Sequence, residues 1–90
     1  MNKTIITVVG KDAVGIIAAV CTYLSGKNIN ILDISQTIVD GYFNMMMITD
    51  TTDCGLTHEE LCRDLGEVGK KKGVVIHAQR EEIFDMMHRV

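Results

Sequence analysis

The chain contains no proline and no tryptophan, and only four aromatic residues, two Tyr and two Phe. Its core must therefore come from Ile, Val, Leu and six Met. Cysteine is scarce as well: three residues at irregular spacing and no signal peptide do not make a disulfide framework. No hydrophobic run is long enough to cross a bilayer, and no lipidation motif is present, so no membrane partner is expected and the expected compartment is cytoplasmic. Basic residues are scattered apart from Lys70-Lys71-Lys72, and the formal net charge is −3. That argues against nucleic acid, whose phosphates need a basic face. The lysine run has a local explanation at the negative end of a helix dipole.

Ninety residues with 47% hydrophobic and 23% charged content describe one small folded domain spanning 1–90. A chain of this length buries only about 60% of its unfolded surface, which makes self-association a natural remedy.

Periodicity divides the chain. Lys3 to Val9 is rich in Ile, Thr and Val and reads as a strand. Ala13 to Ser25 reads as a helix, with Val14, Ile17, Cys21 and Leu24 on one stripe and Val20 beside it. Asp12 can cap its first turn, and Gly26 suits a left-handed closing residue. Ile29 to Val39 reads as a second strand, with Leu32, Ile34 and Ile38 on one face. Asp40-Gly41 is a hairpin turn leading into a third strand, Tyr42 to Thr49. Thr57 and Glu60 have capping-box spacing at the start of a second helix, whose stripe is Leu61, Leu65 and Val68. Gly73 ends it. A fourth strand covers Val74 to Arg80, and a short amphipathic helix, Ile83 to His88, closes the chain. The order βαββαβ with right-handed crossovers predicts an α+β, ferredoxin-like sandwich. Its sheet is four-stranded and antiparallel, in order 4-1-3-2, with two helices on one face.

Apolar residues occupy both faces of the first and third strands, through Ile5-Ile6-Thr7-Val8-Val9 and Phe43-Asn44-Met45-Met46-Met47-Ile48. A sheet with one wetted face should alternate more cleanly. The helix-free face is therefore expected to meet a second copy of the chain, with Met45 and Met47 as adaptable contact residues. Edge-to-edge and face-to-face dimers both remain open, the methionines favouring the second.

Several constellations fail as chemistry. Cys54, His58 and Cys62 lie four apart, without the paired cysteines usual for zinc. His77 alternates with apolar residues in a strand, and Glu81-Glu82 with Asp85 reads as a solvated helix end. Gly10-x-x-x-x-Gly15 lacks the Lys-Ser/Thr of a phosphate loop. No catalytic residue, metal or cofactor is expected, and the chain is not expected to be an enzyme.

The strand leading into Gly10-Lys11-Asp12-Ala13-Val14-Gly15-Ile16, followed by Asn28-Ile29-Asn30-Ile31, resembles the ACT domain family. Asp33-Ile34-Ser35-Gln36-Thr37 and Tyr42-Phe43-Asn44-Met45-Met46-Met47 resemble more narrowly the small stand-alone ACT proteins of bacteria and archaea, of uncharacterised function. They are similar in turn to the ACT repeats of the glycine cleavage system transcriptional repressor. The resemblance implies a regulatory module, usually dimeric, that binds a small molecule such as an amino acid between the first strand-to-helix turn and the start of strand two. Carried over by position, the ligand residues are Gly10, Asp12, Gly15, Asn30 and Ile31. Helix N-terminal amides suit a carboxylate, Gly15 permits close approach, and Asn30 both donates and accepts. Serine-sensing members carry His where this chain has Gly10 and Asn where it has Asp12, so Asp12 is either a ligand contact or a helix cap. The expected mechanism is ligand-dependent stabilisation of one subunit arrangement, relayed to a separate regulated protein. The alternative is a protein-interaction adaptor that uses the apolar sheet face and binds no ligand.

Overall fold

The computed structural model describes residues 2–11 and 15–81. Its elements are β1 (Lys3–Gly10), α1 (Ile16–Gly26), β2 (Asn30–Val39), β3 (Tyr42–Asp50), α2 (His58–Lys72) and β4 (Val75–Arg80). All strand pairs are antiparallel, and the sheet order is β2-β3-β1-β4, the ferredoxin-like order that the sequence predicts. Ala13, Val14 and the terminal segment expected as a short helix lie outside the described residues, as does Asp12.

The local signals act as their chemistry requires. Asp40 (φ 52°) and Gly41 (φ 80°) both adopt positive φ, the pair of left-handed residues that a tight hairpin turn needs. Thr57 accepts from the Glu60 amide while the Glu60 carboxylate accepts from the Thr57 amide, completing the capping box. Gly73 closes α2 in the left-handed conformation. At α1 the closing device differs from expectation: Gly26 stays helical, and Asn28 is the residue with positive φ (59°). Asparagine tolerates that region because its short amide bonds locally.

The core lies between the helices and the sheet, built from Ile6, Val8, Phe43, Met45, Met47 and helix residues Ile16, Val20, Leu24, Leu61 and Leu65. On α1 the fully buried stripe is Ile16, Val20 and Leu24, with Ile17 and Cys21 only partly buried beside it. On α2 the buried stripe runs Leu61, Leu65 and Gly69, while Val68 is only partly buried.

Gly69 explains that phase. A Cβ there would meet the backbone oxygen of Val74 at 2.7 Å, so glycine is what lets α2 approach β4. Gly66, one turn earlier, has nothing within 4 Å. Thermal or denaturant unfolding should separate them. Gly66→Ala should stabilise by up to ~1 kcal/mol, the ordinary helix preference. Gly69→Ala should instead cost ~1–3 kcal/mol, because the obstructing atom is main chain and cannot swing away.

The sheet is covered unevenly. Paired residues share a face, so Ile34, Gln36 and Ile38 of β2 sit on the helix side with Met47, Met45 and Phe43. Yet β2 is exposed along nearly its whole length, and Ile38 is 74% exposed. The helices shelter the other three strands and leave this edge bare on both sides.

Met45 and Met47 require a correction. They face the helices and are 2% and 0% exposed, so they belong to the core of their own chain and cannot form a contact surface. The strand's alternation places Met46 on the helix-free face, where it is 38% exposed between Thr7 and Ser35.

Candidate functional site

The end of β1 and the start of α1 form one corner. Gly10 pairs with Phe43, and a Cβ on it would lie 2.2 Å from Val74 Cγ1, so packing alone already demands glycine there. Gly15 is the residue before α1 and holds φ 76°, a conformation that strains other residues. Among the described residues no side chain caps α1, and its first turn holds no acid. The positive end of the helix dipole lies at Gly15. Asp12, the expected cap or ligand contact, is outside the described residues.

One side chain at this corner was not singled out by spacing. A Cβ placed on Gly15 would be 3.8 Å from Lys72 Nζ, so the last turn of α2 brings an ammonium group to the first turn of α1. The sequence marks Lys70-Lys71-Lys72 only as a helix end. Pairing between α1 and α2, invisible to local spacing, gives Lys72 its second neighbour. Lys11 lies on the same corner, 5.8 Å from the centre of the Tyr42 ring.

Asn30 and Ile31 are elsewhere. Asn30 pairs with Asp50, the residue that also pairs with Lys3 at the start of β1. Seven residues along β3 separate Asp50 from Phe43, about 23 Å at the rise of an extended strand. β1 and β2 both run antiparallel to β3, and so parallel to each other; the end of one and the beginning of the other must lie at opposite ends of the sheet. The expectation that Gly10, Gly15 and Asn30 surround one pocket within a chain is corrected on that ground. Asn30 is exposed, while Ile31 packs against the edge of the core.

Cys62 Sγ lies 3.5 Å from His58 Nε2 and donates to the Ala78 carbonyl at 3.5 Å. Burial pushes this thiol up from its usual value, which suits a packing role better than a nucleophile. Cys54 Sγ is held by the Leu56 amide at 3.4 Å. Among the described residues no three His, Cys, Asp or Glu side chains are placed to hold a metal ion, and no helix is long and apolar enough to cross a membrane.

A family model for the ACT domain matches residues 2–79. A UPF0237 protein of Bifidobacterium longum is 60% identical over 90 residues, covering 100% of both chains. An ACT domain protein from Streptococcus pneumoniae has a solved structure that superposes with a TM-score of 0.84 at 39% identity, covering 93% of this chain and 94% of that one. A protein described as a glycine cleavage system transcriptional repressor superposes at 0.72 with 21% identity, over 88% of this chain and 45% of its own, a likeness of fold.

Proposed function

Since the chain belongs to the ACT domain family, whose members are generally regulatory modules that bind small molecules and often amino acids, we propose that it is a homodimeric amino-acid sensor with no chemistry of its own. The observation that carries this reading is the bare β2 edge together with the separation of Gly15 from Asn30. Ten residues of strand with both faces exposed are a ready template for another strand. Antiparallel pairing of β2 with its copy about a two-fold axis would set the lower end of one protomer beside the upper end of the other. Asn30 and Ile31 of one chain would then approach the Gly10–Gly15 corner of its partner, and each dimer would hold two composite sites.

Chemistry supports the same assignment. The positive end of the α1 dipole and Lys72 favour a carboxylate, and an asparagine amide oxygen from across the interface would accept from an ammonium group. Ligand bound there would bridge the subunits and hold one arrangement by differential affinity, for a separate protein to read.

Calorimetric titration against the individual amino acids tests this. One should bind at the composite site with a stoichiometry of one per chain, and Asn30→Ala should weaken that binding at least tenfold; no binding by any of them, or none of that weakening, would reject the site. The edge itself has a cleaner probe. Ile38→Lys replaces a side chain already exposed in the single chain, so its melting temperature as a monomer should hardly move. In the register that brings Asn30 to the far end of the partner's β2, position 38 lies opposite Ile31. A lysine there puts an unpaired charge against an apolar side chain at each end of the interface and should raise the dimer dissociation constant about tenfold or more, measured by sedimentation. An unaltered dimer would place the contact on another surface. A stable dimer that binds no amino acid but captures a protein through β2 would support the adaptor instead.

A further inference from the structure

At the end of the sheet away from Gly15, a cavity of about 450 Å³ opens between β1, β4, the β3–α2 loop and the first turn of α2. That volume suits a small metabolite. Its floor is fixed. Thr4 is nearly fully buried, Leu61 equally so, and Thr4 Oγ1 lies 3.2 Å from Thr51 Oγ1. The Thr51 hydroxyl and amide both donate to the Asn2 carbonyl. With the Thr51 hydrogen committed there, Thr4 is the donor of the hydroxyl pair, and its lone pairs can accept from a guest.

The mouth carries both signs of charge. Lys3 Nζ and Glu81 Oε2 stand 3.8 Å apart with their side chains 40% exposed. A charge-assisted hydrogen bond closes to about 2.7–2.9 Å, so this pair is a loose one that screening leaves weak. Either partner can turn to a guest at small cost. Cys54 and His58 also line the cavity. The capping box already occupies the Thr57 and Glu60 amides, so the site does not depend on the helix end.

We infer that this cavity is a second binding site, for a small zwitterion whose carboxylate meets Lys3 and whose ammonium meets Glu81. It lies across the sheet from β2 and would remain open in an edge-paired dimer. The inference stands apart from the composite site: it needs neither the dimer nor Asn30.

Cys54 supplies the reporter. The full chain is alkylated with uncharged iodoacetamide, and modification of each cysteine is followed by peptide mass. L-serine, L-leucine and L-glutamate are added singly at 20 mM (on the order of weak-metabolite affinity), beside propionate and propylammonium. At least one amino acid should slow Cys54 threefold or more and leave Cys21 unchanged, with either single ion much less effective. Lys3→Ala and Glu81→Gln should each abolish the protection, with melting temperatures near that of the parent. Asn30→Ala should keep it. The inference is overturned if no amino acid protects, if the single ions protect equally, if the two charge variants retain full protection, or if Asn30→Ala removes it.

Discussion

Met47→Asp is expected to leave the chain largely unfolded at room temperature, while Met46→Asp, one position away, stays folded. Position 47 is fully enclosed by the core. Substitution there deletes a packed thioether, worth ~2–5 kcal/mol, and strands a carboxyl without partners, worth ~2–7 kcal/mol more. The whole stability of a 90-residue domain is about 5–13 kcal/mol. At position 46 the new carboxylate would reach water on the helix-free face, and the expected cost is about 1 kcal/mol or less. Circular dichroism with urea titration distinguishes them. Comparable losses from both would mean that the helix-free face is covered as completely as the other.

The second large effect is a rescue. Asn30→Ala and Lys72→Ala should each weaken amino-acid binding, because every composite site in either homodimer lacks one of its two anchors. When the variants are mixed and allowed to exchange subunits, the heterodimer regains one intact site: Lys72 from the first chain faces Asn30 from the second. Its other site has lost both. Titration should then recover wild-type affinity at about one quarter of the original capacity, since half the dimers are mixed and each holds one good site of two. No recovery after demonstrated exchange would show that the two residues do not serve one ligand across an interface.

Most of the fold was legible because its signals are local. Capping-box spacing, a turn demanding two positive φ angles and β-branched runs each fix a few residues at a time, and the sheet order follows from connection rules. The phase of the buried stripes was less legible. Gly69 matters through the Val74 carbonyl, five residues along the chain and immediately before β4, and no helical periodicity reports that. The same limit applies at Met45 and Met47. Apolar residues on both faces of β3 are visible in sequence, but which face the helices take is settled only by packing. For the candidate site, Gly10 and Gly15 lie together at the corner, although Gly10 is already required by the Val74 side chain packed against it and Gly15 by its positive φ. Lys72 came into view only because α1 and α2 meet. The convergence of Asn30 on that corner failed on direction: parallel strands separate an end from a beginning, a constraint that residue spacing around a turn does not display.

The ladder between β2 and β3 runs in step except between Ile31 and Asp33, where Leu32 has no opposite number. Removing Leu32 would close the ladder into strict one-to-one pairing and leave both flanking segments where they are. Removing Ser35 instead would turn half the strand over and exchange its two faces. Length variation among relatives is therefore tolerable at position 32 and costly a few residues later, so a gap in an alignment belongs at the bulge, even where residue identities alone would favour another place.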